Sequence, residues 1–269
     1  MDPKQDQMTR LLDIMAKLRD PEGGCPWDLE QTFATIAPHT IEEAYEVVEA
    51  IEENDMAELK SELGDLMFQV VFYAQMASEN GDFDFHDVVG AISDKMIARH
   101  PHVFGDKAIN TADAQTIAWE ETKAAEREAK AKKAEGPISA LDGVAKPLPA
   151  LTRAEKLQKR AARVGFDWPD MPPVFDKIHE EIDEFKAEIT AGSDKDRLED
   201  EFGDILFAVV NLGRKVGLDP ETALKRTNNK FTNRFKGVEE ALRARGKSPE
   251  QSNLDEMDQL WNEMKKTRG

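Results

Sequence analysis

One acidic pattern occurs twice in this chain, and it restricts what the chain can fold into. Glu42-Glu43-x-x-Glu46 is followed by Glu62-x-x-Asp65, and Glu180-Glu181-x-x-Glu184 is followed by Glu201-x-x-Asp204. Acids three positions apart share one face of a helix. Like charges that close repel, and an apolar core rejects them. Four converging carboxylates are tolerable when a hard, oxygen-seeking cation sits among them. The pattern therefore points to Mg²⁺-dependent chemistry on a phosphate-bearing substrate.

The rest of the sequence reads as helix. Apolar residues recur at helical spacing over 8–20, and the Gly/Pro turn PEGGCPWD follows. Thr40, with Glu43 three residues on, has the form of a capping box for a helix over Ile41–Glu53. Further helices are expected over Met56–Asn80, Phe85–Ile97 and Ala112–Lys133. The segment 134–150 (AEGPISALDGVAKPLPA) breaks helical periodicity and reads as a linker. Beyond it, helices are expected at 151–163, 174–191, 194–216, 219–245 and 253–267, with GFDWPDMPP as the counterpart of the first Pro-Trp-Asp turn. No strand-like alternation of useful length occurs. The expected domains are 1–133 and 151–269.

The two halves align at nearly constant offsets. Glu43 and Glu181 are 138 positions apart, as are Glu46 and Glu184; Asp65 and Asp204 are 139 apart. Lys95 and Arg99 precede Lys230 and Arg234 by 135, and Trp119-x-x-x-Lys123 precedes Trp261-x-x-x-Lys265 by 142. Such offsets over acidic, basic and aromatic positions indicate duplication of one four-helix unit.

The connection around Ala191-Gly192-Ser193 is short, so the two acidic helices of the second half should be antiparallel neighbours with opposed carboxylates. Gly64 and Gly203, each beside an acid, are expected to permit close approach of a backbone or a ligand. A single acidic pair is usually a solvated helix face. Four pairs in two matched sets, each beside apolar runs such as Asp204-Ile205-Leu206-Phe207, are not explained that way. A di-iron bundle uses Glu-x-x-His; here position i+3 is Glu or Asp, and none of the five histidines has zinc spacing. All-oxygen ligation favours Mg²⁺ or Mn²⁺.

Lys230/Arg234 and Lys95/Arg99, each at i,i+4, can present two cations to one phosphate chain or form a solvated basic face. Trp119 and Trp261 can stack on a base or anchor the last helix. The net charge of −18 argues against bulk attraction to nucleic acid or an anionic membrane. The apolar stretches are too short to span a bilayer. The one cysteine, Cys25, excludes an intramolecular disulfide and fits the cytoplasm.

The motifs EExxE and ExxD, with the later K-x-x-x-R and W-x-x-x-K, resemble those of MazG-type nucleoside triphosphate pyrophosphohydrolases. TIAPHTIEEAYEVVEAI, ELGDLMFQVVFYAQMA and SDKMIARHPHVFGD carry the resemblance, which covers nearly the whole chain as the two-domain form. It implies an all-α fold of two tandem four-helix MazG-like units, a homodimer, and Mg²⁺-dependent hydrolysis of nucleoside triphosphates to monophosphate and pyrophosphate. The implied metal ligands are Glu181, Glu184, Glu201 and Asp204, and in the first half Glu43, Glu46, Glu62 and Asp65. Glu180 joins the second set as a catalytic residue. The implied substrate contacts are Lys177, Glu180, Arg197, Asp200, Lys230, Arg234, Trp261 and Lys265, with Lys95 and Arg99 in the first half.

The halves are unequal in cations. His39 stands at the position of Lys177, Glu58 at that of Arg197 and Ala91 at that of Arg226. The second half is therefore expected to be the main triphosphate site. Two competing classes remain: a nucleotide-sensing interaction protein built on the same bundle, and an RNA-binding helical protein, against which the charge argues.

Overall fold

The structure is a computed structural model that describes residues 6–105, 111, 115, 118, 119, 122 and 139–267. Among the described residues every regular element is helical. The chain divides into two compact units, Met1–Glu126 and Arg127–Gly269.

In the first unit, α1 (Asp6–Leu18), α2 (Pro26–Glu30), α3 (Phe33–Glu53), α4 (Met56–Asn80), α5 (Phe85–Arg99) and α6 (Pro101–Phe104) follow in order. α3 and α4 form the central hairpin, and α1 and α5 both pack on α4. Their apolar stripes meet in a core of Met15, Ile36, Val71, Phe72 and Met76, flanked by Leu12, Phe68 and Tyr73. Burying each such side chain contributes about 1.5–3 kcal/mol. Arg19 closes the edge of this core. Its guanidinium lies 5.4 Å from the centroid of the Phe72 ring and bonds Glu79 at 2.7 Å.

In the second unit, α7 (Ala150–Arg163), α8 (Pro172–Ala191), α9 (Lys195–Lys215), α10 (Pro220–Ala244) and α11 (Leu254–Thr267) follow, with a 3-10 turn at Pro249–Gln251. α8 and α9 form the central hairpin. α7 lies on α9 and α10, and α11 packs on α10. Val238, Leu242 and Leu260 are buried at the α10–α11 contact. The turn before α8 is fastened to α9 by Asp167, which accepts from Arg214 at 2.6 Å and Lys215 at 2.9 Å.

The two central hairpins are built alike. α3 ends on Asn54 (φ 57°) and α8 on Gly192 (φ 69°), 138 positions apart and both left-handed. An aspartate then caps the next helix. Asp55 accepts from the N–H groups of Ala57 and Glu58, and Asp194 from that of Arg197. These two turns set the register of the facing acidic helices.

One helix start differs from the expected one. α3 begins at Phe33, capped by Thr32, whose side chain exchanges bonds with Thr35. Thr40 is interior to the helix, and its hydroxyl contacts the Ile36 carbonyl and the Tyr73 hydroxyl at 2.8 Å. Pro38 sits inside the helix. Glu43 is thereby free of capping duty. The turn PEGGCPWD runs directly into the short α2, which begins at Pro26. The expected helix over 112–133 lies almost wholly outside the described residues, as does the first part of the expected linker. From 139 to 149 the chain runs in turns.

Candidate functional site

Each central hairpin brings its acids together. One oxygen each from Glu43, Glu62 and Asp65 lie within 4.8 Å of one another, and so do oxygens of Glu181, Glu201 and Asp204. The register explains this. Positions 39, 43 and 46 on α3 face 58, 62, 65 and 69 on α4, while 177, 181, 184 and 188 on α8 face 197, 201 and 204 on α9. Glu181 and Glu201 are buried, at 5% and 9% exposure, whereas Asp65 and Asp204 are exposed. Glu46 and Glu184 stand outside the tight groups but within their field. Burial pushes the Glu184 carboxyl up, and the Glu181 charge adds to it.

The donors are carboxylate oxygens only, with no His or Cys among them. That set suits a hard divalent cation better than zinc or iron. Buried, mutually repelling acids on helices lined by apolar residues are also hard to stabilise without positive charge.

The boxes differ in where that positive charge comes from. In the second, Lys177 lies 2.8 Å from both Glu180 and Glu181. Its hydrogen bonds to Glu180 and then Glu181 hold the ammonium well above its usual range. Arg197 lies 2.6 Å from Glu188 and 2.8 Å from Glu201. Glu188 also accepts from the Ser193 hydroxyl, which together with Arg197 holds its carboxyl below the ordinary value.

In the first box, no Lys or Arg pairs with Glu43, Glu46, Glu62 or Asp65 among the described residues. Burial raises the Glu43 carboxyl, with Asp65 and Glu46 adding repulsion. Glu43 accepts from the buried Gln69 amide at 3.4 Å. Glu62 is raised by burial, then by Glu46, Glu58 and Asp65. His39 lies 3.4 Å from Glu42, not beside Glu43. Ala50, 138 positions before Glu188, cannot replace that acid.

The remaining expected contacts form a separate group on α10 and α11. The Arg234 guanidinium lies 5.9 Å from the Trp261 ring centroid, and Phe231 is 5.1 Å from the same ring. The Arg234 Nε is buried without a hydrogen-bond partner. Lys265 donates to Asn262 at 3.4 Å, and Lys230 is exposed. No hydrogen bond or ion pair joins Lys230 or Arg234 to the acidic box. Asp200 is exposed and acts on Arg197 through its charge. On α5, Lys95 is exposed and Arg99 is half-buried. Trp119 packs edge-on against His100 at 5.7 Å.

Of the two approaches expected at Gly64 and Gly203, a backbone or a ligand, no neighbouring backbone is there. A Cβ added at either would meet nothing within 4 Å. They leave open space beside the acids instead. The sequence reading also passed over Glu188, Ser193, Gln69 and the effect of Glu58. Glu188 and Gln69 were detectable, since each stands four residues past an acid of its box, on the same face.

Comparison with known proteins agrees with this layout. The MazG nucleotide pyrophosphohydrolase domain matches residues 31–104 and 174–239, one acidic box in each segment. The chain is 52% identical over 262 residues to the nucleoside triphosphate pyrophosphohydrolase of Escherichia coli (strain K12), covering 97% of this chain and 98% of that one. It is 43% identical over 255 residues to the nucleoside triphosphate pyrophosphohydrolase/pyrophosphatase MazG of Thermotoga maritima, covering 95% and 94%. By motif, fold and similarity over nearly its full length, the chain belongs to the MazG nucleotide pyrophosphohydrolase family.

Proposed function

We propose that this protein hydrolyses nucleoside triphosphates to monophosphate and pyrophosphate, with Mg²⁺ as cofactor and Mn²⁺ as substitute, and that the second acidic box is the principal site. One observation carries the reading. The Glu181/Glu201/Asp204 cluster has two cations, Lys177 and Arg197, held at its rim. A triphosphate needs both features, because its own charge must be neutralised before an oxygen nucleophile can approach.

Glu181, Glu201 and Asp204, with Glu184 beside them, would hold the metal. Bound there, the metal supplies Lewis acidity and positive charge against the triphosphate. Lys177 and Arg197 bind phosphate oxygens and stabilise the charge that develops on the leaving group. Arg234 and Lys230 extend the cationic surface, and Trp261 offers a flat face to a base. A box carboxylate orients the attacking water and takes its proton. The water oxygen bonds to the α-phosphorus, the bond from that phosphorus to the bridging oxygen breaks, and pyrophosphate departs.

The first box keeps its acids but lacks the rim cations, so it binds phosphate weakly and serves as a narrower enzyme, a regulatory site or a dimerisation unit. In the second unit, Phe202, Leu206 and Val209 share one face of α9 and are exposed at 51%, 42% and 46%, which supports a homodimer through that face as well. No described helix is long and apolar enough to cross a membrane, and the single cysteine fits a cytoplasmic site of action. Anion-exchange analysis of Mg²⁺ reactions should give monophosphate and pyrophosphate in equal amounts. Diphosphate with orthophosphate would contradict the reading.

A further inference from the structure

Lys177 and Arg197 share an arrangement that binding of phosphate alone does not require. Each is forked between one carboxylate of the box and one outside it. Lys177 bridges Glu181 and Glu180, both at 2.8 Å, and Arg197 bridges Glu201 at 2.8 Å and Glu188 at 2.6 Å. The inner partners, Glu181 and Glu201, are buried, while the side chains of Lys177 and Arg197 are 35% and 52% exposed. The ends of both cations can therefore swing while the acids stay fixed. Ser193 donates to Glu188 and holds it in place as the outer anchor. The first box has His39 beside Glu42 only, and with Ala50 and Glu58 at the positions of Glu188 and Arg197 it has no such fork onto its inner carboxylates among the described residues.

We propose that Lys177 and Arg197 are exchangeable counter-ions of the second box, which compete with the divalent cation for Glu181 and Glu201 and pass to the phosphates once it binds. This rests on the reading of the box as a metal site. A divalent ion and an ammonium or guanidinium on the same carboxylates repel each other, so one weakens the other. Glu180 and Glu188 keep the displaced cations at the rim. A triphosphate then meets two cations already released by the metal, and metal and nucleotide reinforce each other's binding. That coupling is reciprocal by thermodynamic necessity. In the first box no such exchange occurs, and metal binds there without preparing a phosphate site.

The test measures Mn²⁺ binding by electron paramagnetic resonance on the full chain. The first box is disabled by Glu43→Gln and Asp65→Asn, so that only the second is read. In this background, Lys177→Gln and Arg197→Gln should each bind Mn²⁺ alone more tightly, by about fivefold or more, the lower end of ordinary coupling. The same variants should lose most of the Mn²⁺-dependent tightening toward α,β-methylene-ATP. Arg197→Lys, which keeps the charge, should stay close to the parent in Mn²⁺ affinity. A merely structural role predicts weaker Mn²⁺ binding in the Gln variants, and unchanged or weaker binding overturns the proposal. If the parent itself binds no Mn²⁺ that Glu201→Gln removes, the metal-site reading fails and the proposal with it.

Discussion

The guanidinium of Arg234 rests 5.9 Å from the ring centroid of Trp261, and its Nε is buried with no hydrogen-bond partner. A buried cationic donor without a partner is costly in an isolated fold and useful where an anion docks. Arg234→Gln should raise KM for nucleoside triphosphates roughly 30-fold, equivalent to about 2 kcal/mol of lost charged hydrogen bonding. In the same experiment, α,β-methylene-ATP should change tryptophan emission in the parent, and Trp261→Phe should remove most of that change.

Glu58 occupies the place where the second unit has Arg197, and it adds to the repulsion that raises the Glu62 carboxyl after burial. A raised carboxyl favours the folded state only while protonated. Its contribution is full below the ordinary value of 4.5 and is lost as pH rises through the folded value. Glu58→Arg replaces that repulsion with an i,i+4 pair. Thermal melts without metal should show the variant more stable than the parent at pH 7, with the gap narrowing as pH falls through the raised Glu62 value toward 4.5.

Glu256 ties the end of α10 to the start of α11. It accepts from Lys247 at 2.9 Å, Ser252 at 2.8 Å and Arg245 at 3.2 Å. The Lys247 and Ser252 bonds lead in holding its carboxyl down to about 2. The sign is opposite to that of Glu62. Its stabilisation is present above 4.5 and is lost as pH falls toward about 2. Glu256→Gln should therefore lower the melting temperature at pH 7 and leave it nearly unchanged at pH 2.

Leu242 is fully buried between α10 and α11. Leu242→Ala removes its packing and leaves a cavity, costing about 3 kcal/mol. Urea unfolding followed by helical circular dichroism should show the loss. Because this contact carries Trp261, KM should also rise while the metal affinity of the Glu181/Glu201/Asp204 cluster holds.

Much of this was legible because the informative residues lie on helices, where spacing alone fixes a face. The pairs 181/184 and 201/204 indicated convergence, and the short turn at Gly192 indicated which helices would oppose. The start of α3 was harder to read. Thr40-x-x-Glu43 has the same local pattern as the real cap, Thr32-x-x-Thr35, and only packing, through the Thr40–Tyr73 hydroxyl contact, decides between them. Glu188 offered only a spacing signal, four residues past Glu184. An acid on a helix surface is ordinary until its partner, Arg197, is seen reaching across from the next helix. At Gly64 and Gly203 the spacing could not tell a close backbone from space for a ligand, because a missing side chain fits either; no backbone stands there.

The central claim is that the second box carries the hydrolysis. Asp65 and Asp204 are equivalent, exposed members of the two clusters, so neutralising either leaves no buried charge unpaired. Pyrophosphate release with saturating Mg²⁺ should fall at least about 100-fold in Asp204→Asn, the scale of losing one electrostatic stabiliser of a charged transition state. It should stay within about threefold of the parent in Asp65→Asn, an ordinary surface effect. Equal losses in the two variants, or a larger loss in Asp65→Asn, would contradict the account.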